Sequence, residues 1–375
     1  MRASFISNDQ ISLALNISKE INKINEDSFV YSPISLILSL VLLLSGSRGE
    51  TEGQIKNFIS PTFSKNEIFN YYSAVYNKLS DDDLFVTLKA FNKGFLTEEY
   101  EIKNEYKDFI ENYFNGSIEQ ISFCDVPHSI EKINNIVNKE TNGSISKVIE
   151  ANDINSNMKF ILLSALYFKG DWHVKFEETD TQVAPFFTSP NSSKEIYLMS
   201  LEDKFNYFEN DAFQMIQLPY IGKNMKMIIV LPKTKFIHDN FIKEHLSLND
   251  IEYGFNNSRK IFIKVMIPKF DIATTVNFTP ILKNLGIIDA FNDLTSNFNG
   301  ISSNSSLYLD DVKQKAKIEV TETGTKAAAI TSIKLTLFSG AEINNGEVKV
   351  FRADHAFSFY IIDKMFNIYF SGIFK

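Results

Sequence analysis

With 375 residues, 44% of them apolar and 34 of them Phe, the chain can bury one large core, and no Pro/Gly/Ser-rich linker, internal repeat or low-complexity tract divides it, so it reads as one domain over 1–375. Its 38 basic against 46 acidic residues give a net charge of −8, which argues against nucleic acid or an anionic membrane as partner, and no basic helix face stands out to hold heparin. Cys124 is the only cysteine, so no intrachain disulfide can form.

From the N-terminus, Met1-Arg2-Ala3-Ser4-Phe5 carries no continuous apolar signal region, because Asn8, Asp9 and Gln10 interrupt it; with the lone cysteine this points to the cytosol. The four-residue spacing of Leu13, Ile17 and Ile21 predicts a helix from Ile11. Ser32-Pro33, an N-cap followed by a first-turn proline, opens the next. Its apolar run Ile34 to Leu44 is 11 residues long with serines inside it, too short to span a bilayer, and reads as a wholly buried helix. The charge run Asp81-Asp82-Asp83 reads as a solvated turn. Ile102 to Tyr113 and Ile130 to Lys139 have amphipathic helical spacing. From about Met158 the pattern turns to strands, with Phe160 to Leu163, Met227 to Val230 and Ile261 to Met266. Thr279-Pro280-Ile281 repeats the N-cap-then-proline signal and opens one more helix before Gly286. Helices first and strands later predict an α+β class, with helices packed on mixed sheets.

The sequence does not read as an enzyme. No Gly-x-Ser-x-Gly, His-Glu-x-x-His, Walker loop or nucleotide-binding glycine fingerprint occurs. His128, His173, His238, His245 and His355 are scattered without metal-ligand spacing, so no metal or cofactor is expected. His355, after Asp354 on a predicted strand, reads as structural, and Cys124 in Ser-Phe-Cys-Asp reads as a packed apolar side chain.

The most informative stretch lies some fifty residues from the C-terminus. Glu322-Thr323-Gly324-Thr325-Lys326-Ala327-Ala328-Ala329 is rich in small residues and runs into a mixed segment that ends at Phe338-Ser339-Gly340. Threonine and isoleucine suit a strand, and triple alanine equally suits a helix, so the segment can change state at low cost. At the strand period of two, one face is Thr325, Ala327, Ala329, Thr331, Ile333, Leu335 and Leu337; the other, mostly polar, begins Lys326, Ala328, Ile330. An ordinary amphipathic strand has the same pattern.

Other blocks narrow the choice. They are Phe29-Val30-Tyr31-Ser32-Pro33-Ile34-Ser35, Gly46-Ser47-Arg48-Gly49-Glu50-Thr51, and Ala165-Leu166-Tyr167-Phe168-Lys169-Gly170-Asp171-Trp172. Farther on come Leu218-Pro219-Tyr220, Ile267-Pro268-Lys269-Phe270, Phe351-Arg352-Ala353-Asp354-His355-Ala356-Phe357 and Phe370-Ser371-Gly372. In this order, over nearly the whole chain, the blocks resemble the serpin superfamily, of the intracellular, ovalbumin-like type. The resemblance implies a serpin fold of three β-sheets with about nine helices and an exposed reactive loop, here about 322–345.

It also implies a monomeric inhibitor that traps serine proteases as a suicide substrate. The protease cleaves the loop, and the loop then inserts as a new strand into the main sheet before the acyl-enzyme is hydrolysed. Insertion needs small inward residues, which Thr325, Ala327 and Ala329 are, and no proline interrupts Glu322 to Ser339. In the family the residue before the scissile bond is usually the seventeenth from the hinge glutamate, which puts the reactive bond at Phe338–Ser339. Phe338 suits chymotrypsin-like targets, including cathepsin G-like ones. The family's shutter serines are similar to Ser32 and Ser35; Ser164 stands where the family has Asn, Gln314 where it has His, and Trp172 matches the residue where the loop first enters. The two changes fall in one network, and Gln314 is expected to compensate by reaching Ser164 or Ser32 through its amide. Two alternatives stay open: a non-inhibitory serpin acting as chaperone, carrier or storage protein, and a cross-class inhibitor of papain-like cysteine proteases. Release from the cell without a signal peptide would bring a host protease within reach.

Overall fold

The apolar run after Ser32 forms α2 (Pro33–Gly46), in which every residue but Ser45 is buried, and Ser32 caps it by accepting the Ser35 amide at 3.2 Å. It lies at the centre of a computed structural model that describes residues 2–79, 86–114, 118–222, 224–242, 246–304, 307–324 and 348–375, with the backbone alone at 2–8, 240 and 248. Helices α1 (Arg2–Ile24), α3 (Gly49–Ile59), α4 (Lys65–Leu79), α5 (Asn104–Phe114) and α6 (Val126–Glu140) follow the predicted amphipathic stretches and fill the gaps between them. Later come α7 (His238–Asn240, a single turn), α8 (Leu248–Asn256) and α9 (Thr279–Asn284). No described helix is long and apolar enough to cross a membrane.

A five-stranded sheet positions the site. Its order is β10 (Phe270–Asn277), β11 (Asp311–Val320), β4 (Phe160–Gly170), β2 (Val86–Thr97) and β3 (Ile118–Ile121). Strand alternation gives it two apolar faces. Phe91, Phe95, Leu163 and Ala165 pack with Ile133 and Val137 of α6, while Leu162, Leu166, Val312 and Ala316 join the main core with α2. In the middle of the sheet β11 and β4 are parallel, with Gln314 opposite Ser164. The β2–β3 pair at the sheet edge is also parallel, whereas β10–β11 and β2–β4 are antiparallel, so β11 and β4 are the parallel neighbours in the sheet interior.

The remaining strands are β1 (Phe29–Tyr31), β5 (Gln182–Ser189), β6 (Ser192–Glu209), β7 (Phe213–Pro219), β8 (Met225–Pro232), β9 (Arg259–Pro268), β12 (Lys349–Arg352), β13 (Phe357–Asp363) and β14 (Ile368–Phe374). They run β1-β14-β13-β8-β7-β6-β9-β12, with β5 also on β6. The three expected sheets are therefore joined into two among the described residues. The joint is the 18-residue β6, whose Asn206 to Glu209 pair with β7 while Leu198 to Tyr207 pair with β9.

Three local expectations are corrected. Thr279 is not the cap of α9: Phe278 holds that position, and the Thr279 hydroxyl donates to Asp311 Oδ1 at 2.5 Å and accepts the Val312 amide. Cys124 is exposed, because it sits in the turn between β3 and α6 where Phe123 fills the core instead. His355 lies between β12 and β13, joined to Phe187 by an isolated bridge; buried between Asp354 Oδ1 and the Pro232 carbonyl, it is structural as expected. Asp81-Asp82-Asp83 lies outside the described residues.

Candidate functional site

Two clusters bracket the parallel β11–β4 pair, one at its C-terminal ends and one beneath its middle. At the ends, Thr321, Glu322, Thr323 and Gly324 leave β11 and are held against the residues that leave β4. The Trp172 indole donates to the Thr321 carbonyl at 2.9 Å and its backbone amide to the Thr323 carbonyl at 3.3 Å, while the Phe176 amide donates to the Glu322 carbonyl at 3.0 Å. Trp172, 2% exposed, is stacked on Tyr220 with ring centroids 4.5 Å apart. Gly324 has φ +84°, and a Cβ there would collide with the Gly170 carbonyl and lie 2.6 Å from the Trp172 nitrogen. Only glycine fits that close approach in the left-handed region.

Glu322 is buried. Lys269, in the turn between β9 and β10, pairs with its Oε2 at 2.9 Å, and the Thr181 hydroxyl donates to Oε1 at 3.0 Å. Burial alone would raise the Glu322 carboxyl, but the bonds from Lys269, its own backbone amide and Thr181 together outweigh it and hold the group below the ordinary glutamate value. A depressed folded-state value stabilises the protein above the unfolded value of about 4.3, and the contribution is lost as pH falls through the folded one. The melting temperature of the wild type should therefore exceed that of Glu322→Gln at pH 7. The gap should close as pH is lowered through about 4; a gap independent of pH would exclude the ionised tether.

Beneath the middle of the sheet, three strands present a polar row to α2: Gln314 on β11, Ser164 on β4 and Asn92 on β2, mutually opposite in register. All three are buried. Gln314 Oε1 accepts the Ser32 amide at 2.6 Å; its Nε2 donates to the Ser32 carbonyl at 3.1 Å and to Ser164 Oγ at 3.2 Å. The Gln314 amide thus reaches both Ser32 and Ser164. On the other side, Ser35 Oγ donates to Asn92 Oδ1 at 2.5 Å, and Ser39 Oγ to the same atom at 3.4 Å. The top of β11 is thereby tied to β4 at Trp172, and its middle is tied to both β4 and α2 through one glutamine.

The predicted hinge divides at Gly324. Glu322, Thr323 and Gly324 sit at the upper cluster, whereas Thr325, Lys326, Ala327, Ala328, Ala329 and the reactive bond Phe338–Ser339 lie outside the described residues. Ser32, Ser35, Ser164 and Gln314 are brought together under the sheet, and Trp172 stands at its end. Sequence reasoning assigned no role to Asn92, Lys269, Thr181 or Phe176. Asn92 had a signal: it is a polar residue on a strand whose alternate positions, Phe91 and Phe95, are buried on the opposite face.

The family model described as Serpin (serine protease inhibitor) matches residues 8–374. The chain belongs to the serpin family. A serine protease inhibitor of Drosophila melanogaster, 42Dd, is 29% identical to this serpin, covering 96% of each chain. An uncharacterized serpin-like protein of Thermococcus kodakarensis is 30% identical over 94% of this chain and 81% of its own. Among solved structures, the highly specific Serpin48 of the insect Tenebrio molitor superposes with a TM-score of 0.88 at 27% identity, covering 100% of this chain and 98% of its own. Uncleaved ovalbumin shares the fold at a TM-score of 0.88 and 24% identity, with 98% of each chain covered.

Proposed function

We propose that this serpin inhibits chymotrypsin-like serine proteases by suicide-substrate trapping, with cleavage between Phe338 and Ser339. The carrying observation is the parallel β11–β4 pair, closed along its length and tethered at its end by the segment that leads into the small-residue run. A strand following Gly324 and turning back would run antiparallel to both neighbours and exchange ladder bonds with each, which favours insertion there over any sheet edge. Thr325, Ala327 and Ala329, on one face of that strand, are small enough to enter under α2.

The protease supplies the nucleophile, and this chain supplies the scissile bond and the energy released when the strand inserts. Phe338 fills an apolar specificity slot, whereas trypsin-like targets need Arg or Lys there. We further propose a monomer acting in the cytosol, supported by the unbridged, exposed Cys124. Cathepsin G-like proteases and, after release from the cell, host proteases fit the same loop.

The test is incubation with chymotrypsin, cathepsin G, trypsin and a papain-like protease, followed by denaturing gels and sequencing of the released peptide. A detergent-stable complex with the chymotrypsin-like enzymes and a fragment beginning at Ser339 are expected. Cleavage after Phe338 with no complex would identify a substrate and overturn trapping. A complex with the papain-like enzyme alone would move the inhibitor to the cysteine class.

A further inference from the structure

One polar atom under the five-stranded sheet has no partner. Asn92 Oδ1 takes bonds from Ser35 and Ser39, but its side-chain nitrogen, shielded from solvent, bonds to nothing. The orientation of the amide follows from distance: 2.5 Å to Ser35 Oγ suits an O–H···O bond and is too short for N–H···O. The NH₂ group is therefore the one turned away from Ser35. A buried donor left unpaired is costly, and its retention asks for a reason.

The neighbour on β4 supplies one. Ser164 is directly opposite Asn92 in the antiparallel ladder, on the same face. Side chains so placed have Cβ atoms about 5 Å apart, within reach of an amide. In the closed sheet Ser164 Oγ already takes the Gln314 Nε2 donor at 3.2 Å from the other side. If a strand enters between β4 and β11, their spacing grows by one strand, about 4.8 Å, and that bond must break. β2 stays with β4, since the two are paired from Val86 to Leu96. Ser164 then keeps Asn92 beside it and loses Gln314.

We infer that Asn92 is a reserve donor which takes over Ser164 when the sheet opens. Its unpaired NH₂ destabilises the closed sheet, and the new Asn92–Ser164 bond stabilises the opened one, so one residue contributes twice to the difference that drives insertion. Asn92 is a positioning residue, acting through Ser164 without touching loop or protease. The inference rests on loop insertion as proposed above.

The test is a double-mutant cycle of Asn92→Leu and Ser164→Ala, measured by guanidinium unfolding on the intact chain and on the chain nicked in the 325–347 segment by limited proteolysis. In the nicked form the pair should couple by about fivefold in the unfolding constant; in the intact form the coupling should be close to onefold. Equal coupling in both forms, or none in the nicked form although nicking strongly stabilises the wild type, overturns the role of Asn92. No stabilisation on nicking overturns insertion itself, and the inference with it. Should Asn92→Leu fail to fold, the Asn92 side-chain ¹⁵NH₂ signals decide: they shift on nicking in the wild type and must not shift in Ser164→Ala.

Discussion

Thr325→Arg is expected to convert the protein from a trap into a substrate, with cleavage after Phe338 continuing while the yield of stable protease complex falls by at least about tenfold. Thr325 is the first residue after Gly324, and by strand parity its side chain joins the inward face, beneath which lie α2 and the main core. A guanidinium carried into that layer meets the apolar side chains of the core, and burying an unpaired charge costs several kcal/mol. Each 1.4 kcal/mol added to the insertion barrier slows it about tenfold, while deacylation by the protease keeps its own rate. Ala328→Arg is the matched control, because position 328 has the opposite parity and the complex should survive. Gel densitometry of complex against cleaved monomer reads both; equal loss in the two variants would show that parity does not govern entry.

The second large effect is expected at Gln314. Replacing it by Ala removes three hydrogen bonds from a buried cluster, to the Ser32 amide, the Ser32 carbonyl and Ser164 Oγ. The Ser32 amide sits at the N-terminus of a helix with almost every residue buried, so water has no ready access to replace its lost partner, while the Ser32 carbonyl keeps the Leu36 amide at 3.2 Å. Orphaned buried groups cost roughly 1–3 kcal/mol each, and Gln314→Ala should lower the stability of the intact form by about 2–4 kcal/mol in total. The denaturation midpoint should fall at unchanged slope. A loss below about 1 kcal/mol would mean that the cluster reorganises around another donor, such as the unpaired Asn92 nitrogen in the same row. The same substitution loosens β11 from β4, so once the loop is cut, insertion should be faster than in the wild type.

Much of this was legible in the chain. Ser32-Pro33 and the run behind it specify a buried capped helix because both signals are local: the cap closes within three residues, and a run apolar on every side has only an interior to occupy. The same locality served α5 and α6. It failed at Thr279, whose hydroxyl is claimed by Asp311, and at Cys124, whose exposure depends on Phe123 taking the core position; in both cases a partner distant in sequence or a competing neighbour decided the outcome. Strand β2 shows the same limit, since its pairing with β4 brings together segments some seventy residues apart.

For the site the division is sharper. Covalent order alone establishes the sequence of the family's blocks, the small-residue run after Gly324, the absence of proline through it and the place of Phe338 along it, because these need no partner distant in the chain. It takes the folded molecule to place β11 and β4 side by side and parallel, to bring Lys269 and Thr181 to Glu322, and to set Gln314, Ser164 and Asn92 in one row with a donor to spare. Hydrogen bonds to a buried group are set by register across strands and by the helix beneath them, and no periodicity along a single segment encodes either.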